Sequence, residues 1–236
     1  MSQPTLIDLR TMVRQRSNME NNNFVTDAEL NTYINASLSR LHTLLVMKFQ
    51  DYATSVIPTT FTLPGIDGQA IYELPLDFYK LRLLEKQNSN GEWVKCHSIA
   101  FGRRSRYNRT NQVTNITNEV VYSVVGDTIQ FVPETSGPGN YRLWYVPMYT
   151  DLLADLAMVP QWIELNDWYD LAVVDAAIKC LTKQETDSTG LVNEREDIRR
   201  QISQAASMRN IGDQPSVIRV GGWRNDEWYR LYGGRT

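Results

Sequence analysis

Two histidines and two cysteines are the first residues to consider for chemistry, because these side chains supply many nucleophiles and metal ligands. Cys96 and His97 are adjacent at the end of a predicted strand, His42 falls in a predicted helix, and Cys180 lies far from Cys96 in sequence. Adjacent cysteine and histidine have the wrong spacing for zinc and define no nucleophile–base pair. The pattern predicts a half-buried thiol and a surface imidazole, with no metal and no cofactor.

Carboxylates are the remaining candidates for catalysis. Glu164 and Asp167 are compatible with general acid–base chemistry, but such pairs occur in nearly any chain of this length, and an enzyme would need two acids facing one cleft. The chain contains no GxSxG, HExxH or GxxxxGKS motif, so we predict that it is not an enzyme. Asp175 lies in the apolar run LAVVDAAIKC, where a buried carboxylate needs a partner. We expect it at a solvent-facing helix edge or in a salt bridge to a neighbouring subunit.

One basic patch stands out in a chain whose net charge is −3. It surrounds Tyr107 with four arginines within seven residues, namely Arg103, Arg104, Arg106 and Arg109. Arginine beside an aromatic residue suits contacts with a phosphate backbone or stacking on bases. A solvated loop, or contact with the acidic surface of a partner, explains the same residues. The patch is therefore a candidate loop that contacts either a phosphate backbone or a neighbouring chain.

The C-terminal segment, residues 211–236, combines glycine breaks with a dense set of aromatic residues. The glycines and Pro215 argue against a long helix or strand, yet disordered tails are poor in aromatic residues. Trp, Tyr and Arg are the residues that most often anchor interfaces. We predict an extended arm that either docks on another chain or wraps its own domain. The candidate docking residues of this arm are Trp223, Arg224, Trp228, Tyr229, Arg230 and Tyr232.

Composition narrows the class of protein. Hydrophobic residues make up 42% of the 236 residues and charged residues 22%, which is typical of a folded domain with its own core. The slightly negative charge does not favour tight binding of nucleic acid. Two cysteines suit a reducing compartment. The sequence predicts neither a signal peptide in residues 1–25 nor a membrane span.

Helical patterns flank the chain's centre. Thr5 followed by Asp8 marks the start of one helix, and Thr26 followed by Glu29 forms a capping box at the start of the next. An apolar stripe then predicts a helix over residues 27–49, with Leu30, Ile34, Leu38, Leu41 and Leu45 at its spacing. Two further helices are predicted, one after Pro160 to about residue 184 and one over residues 191–210.

The centre of the chain is rich in strand-forming residues. Asn90-Gly91 and Gly126-Asp127 each predict a hairpin, and six or seven short strands predict a small antiparallel sheet or barrel. The fold class is therefore α+β. We predict a four-helix bundle from residues 1–53 and 150–210, an antiparallel β-rich insertion at 54–149, and the extended C-terminal arm at 211–236.

These elements resemble a known family. The segment LIDLRTMVRQRSNM followed by FVTDAELNTYINASLSRLHTLL resembles the opening of head-to-tail adaptor proteins of tailed bacteriophages, also called connector or neck proteins. The phrase DGQAIYELPLDFYKLRLLE is similar to the segment that follows in that family. VPQWIELNDWYDLAVVDAAIKCLTKQETD and EREDIRRQI resemble its paired closing helices. The resemblance covers about residues 5–210.

The resemblance implies a structural virion protein without catalytic activity. Such adaptors form a ring, typically of twelve copies, beneath the portal, where they connect head to tail and continue the channel for DNA ejection. The implied partners are the portal protein, a tail or nozzle protein, further copies of the chain, and double-stranded DNA that passes without sequence readout. The implied location is the head–tail interface of the virion, and the host cytoplasm during assembly. No cofactor, metal or membrane is implied.

A second function remains open from the residues alone. A tail-associated carbohydrate- or receptor-binding module would also lack catalytic activity and would also use exposed Trp and Tyr side chains. Carbohydrate stacking needs a flat aromatic platform that is fixed on a rigid sheet. Four of the six tryptophans lie instead in the arm and at positions 162 and 168.

Overall fold

The computed structural model describes residues 4–20, 24–49, 59–63, 71–104, 120–132, 139–159 and 168–209. Within these ranges the chain forms four α-helices and eight β-strands, so the predicted α+β class is confirmed. The helices are α1 (Leu6–Arg16), α2 (Asp27–Lys48), α3 (Tyr169–Lys183) and α4 (Thr189–Arg209). The strands are β1 (Thr59–Leu63), β2 (Ile71–Glu73), β3 (Phe78–Gln87), β4 (Trp93–Lys95), β5 (His97–Ser98), β6 (Val121–Val125), β7 (Thr128–Val132) and β8 (Gly139–Pro147).

Both predicted capping boxes are present. The Thr5 hydroxyl accepts a hydrogen bond from the Asp8 N–H, and the Asp8 carboxylate accepts one from the Thr5 N–H at 2.8 Å. Thr26 and Glu29 repeat the arrangement at the start of α2, where the Thr26 N–H donates to the Glu29 carboxylate at 3.1 Å. Each box satisfies N–H groups that have no partner inside the helix, which fixes where each helix begins.

The four helices share one hydrophobic core. The predicted stripe of α2 is confirmed, since all five of its leucine and isoleucine side chains are buried. Leu9 of α1, Ala176 of α3 and Ile202 of α4 belong to the same cluster. Phe49, just after α2, packs on Trp168, just before α3, with ring centroids 4.9 Å apart. Large leucines against small alanines allow α2 and α3 to approach closely.

The strands form two four-stranded sheets. Their orders are β1-β8-β3-β4 and β2-β7-β6-β5. Both predicted hairpins are confirmed, with Gly91 and Gly126 at positive φ between β3 and β4 and between β6 and β7. The prediction of one antiparallel sheet or barrel was wrong, because there are two sheets and β5 pairs with β6 in parallel. Hairpin signals report only local pairs, whereas β8 pairs with the distant strands β1 and β3.

Aromatic side chains fill the space between the two sheets. Alternate residues of β8 are buried, and the ring of Tyr141 lies 4.8 Å from that of Phe131 and 6.5 Å from that of Tyr72. Leu84 lies opposite Leu143 in the register of β3 and β8, and both are buried. Because residues of both sheets enter one cluster, the sheets pack through their inner faces.

The second half of α2 contacts the end of β8. Val46 and Val146 form a small buried cluster. One turn earlier, His42 is buried with its ring 5.3 Å from that of Tyr79, edge to face. Burial lowers the pKa of His42, and a hydrogen bond with the backbone of Pro147 opposes that shift. A neutral imidazole therefore lies where helix and sheet meet.

Candidate functional site

A buried carboxylate lies where α2, α3 and α4 converge. Asp175 of α3 is 6% exposed, and it accepts a hydrogen bond from the Ser37 hydroxyl at 2.9 Å. Nitrogens of Arg40, Lys179 and Arg195 lie 3.2, 3.4 and 3.4 Å from its oxygens. The expectation of a solvent-facing edge or of a salt bridge to another subunit was wrong. Its partners come from three helices of the same chain.

The cluster holds Asp175 in its charged form. Burial raises the pKa of this carboxyl, but the hydrogen bond from Ser37 and the positive charges of Lys179 and Arg40 outweigh it, so the net pKa lies below the ordinary value. Burial also lowers the pKa of Lys179, while the charge of Asp175 opposes that shift. A charge at this depth is stable only because every side of the carboxylate meets a donor.

The outer side of this cluster has a surplus of positive charge. Arg195 and Arg199 of α4 share the carboxylate of Glu196, each at 3.1 Å. The carboxylates of Asp175 and Glu196 thus face four cationic side chains, which leaves two positive charges unbalanced. The cations are Arg40, Lys179, Arg195 and Arg199. A cavity of about 150 Å³ opens beside them, with Leu41, Leu44 and Leu171 as its apolar wall. We call the surface formed by Arg40, Leu44, Arg195 and Arg199 the arginine face.

Another flank of α2 carries a protruding loop, residues 150–156, which we call the leucine loop. The Asn35 side chain pairs with Leu152 as the backbone of a neighbouring strand would. Its amide N–H donates to the Leu152 carbonyl at 3.1 Å, and its oxygen accepts from the Leu152 N–H at 2.9 Å. Leu153 and Leu156 are nevertheless 86% and 78% exposed. The loop is thus fixed in shape, with Leu152 buried in the helical core and the side chains of Leu153 and Leu156 exposed to solvent.

The far end of the leucine loop is tied to α1. The Arg10 guanidinium bonds the Asp155 carboxylate at 2.5 Å, and the Ile7 N–H donates to the Asp155 carbonyl at 3.1 Å. The Leu6 N–H donates to the carbonyl of Ala157 at 3.0 Å. These bonds use N–H groups at the start of α1 that have no partner within the helix. Both ends of the loop are therefore anchored.

The predicted basic loop lies only partly within the described residues. Arg103 ends a single turn of 3-10 helix that begins at Phe101, and Arg104 follows directly; Phe101 and Arg103 are exposed. The Arg104 guanidinium lies 5.3 Å from the centre of the Phe101 ring, a cation–π contact. Arg106 and Arg109 lie outside the described residues. The candidate arm residues, from Trp223 to Tyr232, and the carboxylates Glu164 and Asp167 also lie outside them.

A stack of side chains on the outer face of the first sheet was not predicted from the sequence. The Arg142 guanidinium lies 4.4 Å from the centre of the Trp93 ring and 6.0 Å from that of Trp144. The Trp144 indole N–H donates to Glu85 at 3.0 Å. The alternation of β8 could have indicated this face, but the pairing of β3 with β8 across more than fifty residues could not be read from the sequence.

Residues that could do covalent chemistry are buried or dispersed. Cys96 is 2% exposed, more deeply buried than predicted, and burial raises its thiol pKa to about 12. Burial raises the pKa of the Cys180 thiol to about 11. His97 is exposed, as predicted. Among the described residues, no group of three or more His, Cys, Asp or Glu side chains could hold a metal ion.

The helices of the described ranges are short or polar by the standard of a membrane span, and none could cross a bilayer. A groove of about 590 Å³ lies between α1, α3 and α4. Arg16 spans it and pairs with Asp170 at 3.0 Å and with Glu194. Trp168 and Ile198 supply apolar surface, so the groove is mixed in character.

Comparison with known proteins places this fold in a family. A search of curated proteins found no match. The sequence profile of the family described as SU10 adaptor protein matches residues 4–220, a range that includes every helix and strand described above. The candidate arm residues from Trp223 onward lie beyond the matched range. Because the match covers most of the chain, this protein belongs to the SU10 adaptor protein family, a family of bacteriophage head-to-tail adaptors.

Proposed function

We propose that the protein is a structural virion component that forms a ring of about twelve copies beneath the portal, connects head to tail and continues the DNA channel. The match of residues 4–220 to an adaptor family is the observation that carries this proposal. The portal protein would contact one side of the ring and a tail or nozzle protein the other. The ring would assemble in the host cytoplasm and remain at the head–tail interface.

The separate hydrophobic cores support a division of each copy into two structural parts. Residues 1–53 and 150–210 would form a helical bundle, and residues 54–149 a β-rich insertion. The helices share one cluster and the strands another, which agrees with this division. The Val46–Val146 contact and the buried His42 lie where the two parts meet. A force that acts on one part would be transmitted to the other through this contact.

The arm, residues 211–236, would dock on the portal. Ordering such a segment costs roughly 1–2 kcal/mol per residue in backbone entropy, so it needs a well-matched groove. Trp223, Trp228, Tyr229 and Tyr232 would supply apolar contact, and Arg224 and Arg230 would pair with carboxylates or carbonyls. The alternative is that the arm packs on its own chain, for which the groove between α1, α3 and α4 offers a mixed surface.

The charge balance suits a conduit for DNA. Each copy carries a net charge of −3, so about twelve copies would carry roughly −36, and the net field of the ring would repel DNA. A channel that passes DNA should not hold it tightly. The arginines at 103, 104, 106 and 109 would then make local contacts, with the DNA path or a neighbouring copy, without sequence readout.

A carbohydrate- or receptor-binding module is the alternative function. It requires a flat aromatic platform on a sheet, and Trp93 and Trp144 do lie on one sheet face. However, Arg142 covers the Trp93 ring, and the Trp144 N–H is bonded to Glu85. A sugar could stack there only by displacing Arg142, so the geometry favours the adaptor function.

Truncation tests the proposed role of the arm. The chain ending at Asn210 should keep its helical circular dichroism spectrum but should not co-sediment with portal rings of the same phage. The double variant Trp223→Ala, Trp228→Ala should dock weakly and stay folded. A matched control, Trp93→Ala with Trp144→Ala, removes two tryptophans from the sheet and should dock normally. If the truncated chain unfolds, the arm belongs to its own core; if it docks normally, the helical surface is the anchor.

A further inference from the structure

We propose that neighbouring copies of this chain contact each other head to tail, with the leucine loop of one copy packed on the arginine face of the next. The occupant of the arginine face is therefore a second copy of the same chain. The inference rests on the proposed function, because the ring is the assembly in which this contact would repeat.

The two surfaces lie on opposite sides of one helix. Asn35 of α2 holds the leucine loop, and Leu44 of α2 belongs to the arginine face. Leu44 follows Asn35 by nine residues, and at about 100° per residue this places them roughly 180° apart around the helix axis. A contact between two different surfaces of the same subunit is heterologous, and it closes into a ring when the rotation per subunit allows it.

The leucine loop presents apolar and acidic side chains that could enter a cavity of a partner. Leu153 and Leu156 are 86% and 78% exposed, and Asp151 beside them is exposed as well. Two leucine side chains that are mostly exposed, on a loop that is anchored at both ends, offer apolar surface that a partner could bury. Its acidic edge gives the patch an electrostatic preference for a basic partner.

The arginine face is complementary to the leucine loop in shape and charge. Its cavity of about 150 Å³ has an apolar wall that includes half-buried Leu44, which suits a leucine side chain. Arg40 and Arg199 keep 64% and 41% of their side chains exposed. Each guanidinium has five N–H donors, so contacts with Asp175 or Glu196 leave donors for an incoming carboxylate such as that of Asp151.

Both surfaces are formed before contact. The Asn35 amide fixes the backbone of the leucine loop, and the carboxylates of Asp175 and Glu196 orient the arginines. Rigid surfaces lose little side-chain and loop entropy when they associate. The buried carboxylate of Asp175 therefore shapes an interface without taking part in the contact itself.

Site-specific cross-linking tests the contact directly, because both native cysteines are buried and leave the surface free of reactive thiols. Copies with Leu153→Cys are mixed with copies with Leu44→Cys, assembled on portal rings of the same phage and mildly oxidised. Cross-linked dimers should form, because two thiols held together at an interface react at a high effective concentration. We expect about tenfold more dimer than from a control mixture in which Leu76→Cys replaces Leu153→Cys. Leu76 is a matched control because it is a fully exposed leucine elsewhere on the molecule.

Charge reversal supplies an independent readout. Asp151→Arg and Arg40→Asp should each reduce ring assembly on the portal at least about tenfold, since like charges then face each other. A 1:1 mixture of the two variants should restore assembly, because every contact again pairs opposite charges. Glu73→Arg, which reverses an exposed carboxylate on β2, is the control and should assemble normally.

The outcomes separate the two proposals. If the wild-type chain forms rings, but the cysteine variants give no cross-link above the control and both charge-reversal variants assemble normally, the head-to-tail contact is overturned and the ring itself is left intact. A wild-type chain that forms no ring on its portal would overturn the contact together with the proposed function.

Discussion

The helices and the strands differ in how they accommodate buried polar groups. Among the helices, Asp175 accepts a hydrogen bond from Ser37 and pairs with three cations. Between the strands, the hydroxyls of Tyr72 and Ser123 are buried and have no hydrogen-bond partner in the described part of the chain. In the described part of the chain, Arg10 Nε of α1 and Asn31 Oδ1 of α2 also lack a partner, so the contrast is between two places. Specific pairs hold the helices together around Asp175, whereas aromatic rings pack around the unpaired Tyr72 hydroxyl between the sheets.

This difference bears on function. A paired charge is satisfied in only one arrangement of its helices, so it favours a single packing geometry. Between the sheets, apolar substitutions that conserve volume are tolerated best. The surfaces that we assign to contacts between copies both adjoin α2, within the helical part. We expect substitutions there to change assembly, and substitutions between the sheets to change mainly stability.

The largest expected effect is on the helical core. Leu41→Ala should lower the free energy of unfolding by about 2–5 kcal/mol, because Leu41 is buried and truncation leaves a cavity. Urea unfolding measures this loss. Leu76→Ala, at a fully exposed leucine, should change stability by less than about 0.5 kcal/mol. A loss as small for Leu41 would show that the apolar stripe of α2 does not face the core.

Removal of the buried charge should have the next largest effect. Asp175→Asn should lower the free energy of unfolding by about 1–3 kcal/mol, since charge-assisted hydrogen bonds are lost and Lys179 and Arg195 lose their partner. Asp197→Asn, which breaks an exposed pair with Arg200, should lower it by less than about 0.5 kcal/mol. Equal losses in urea unfolding would mean that the helices do not depend on their buried pair.

The strands should respond in the opposite direction when an unpaired hydroxyl is removed. Tyr72→Phe should leave stability unchanged or raise it by up to about 1 kcal/mol, because a buried hydroxyl without a partner is unfavourable. Tyr145→Phe should lower stability by about 1 kcal/mol, since the Tyr145 hydroxyl donates to Asp77 at 3.0 Å. Calorimetry of both variants checks this, and a loss for Tyr72→Phe would contradict the comparison.

The smallest effect concerns the junction between helices and strands. Because burial lowers the pKa of His42, the unfolded chain binds the proton more tightly, and stability should fall as the pH drops through the ordinary histidine value of about 6.5. The stability difference between pH 7.5 and 5.5 should shrink in His42→Gln and persist in His97→Gln, where the exposed imidazole is replaced. An unchanged pH dependence in His42→Gln would show that this imidazole is not the group that titrates.

Local features of the fold were predictable from the sequence, because their causes are local. Thr26 with Glu29, and Asn90-Gly91, act within a few residues, and the helix start and the hairpin both occur where they were expected. Sheet order was not predictable, since it depends on which distant strands meet. The pairing of β8 with both β1 and β3 is of this kind.

The buried cluster shows the same limit at a site. The sequence showed that Asp175 needs a partner, but Ser37 and Arg40 lie more than 130 residues away. Their side chains meet it only after α2 packs on α3. In the same way, Leu153 reads as one leucine among many until the loop is seen to hold it in solvent. The arm residues from Trp223 onward stay a prediction.

Electron microscopy of the full chain mixed with portal rings of its phage tests the central claim most directly. A coaxial ring of about twelve copies should appear on one face of the portal, with an open channel through its centre. Portal rings that gain no density would contradict the account of this protein as a ring-forming adaptor. Portal rings that carry only scattered single copies, when the chain is present in excess, would contradict it as well.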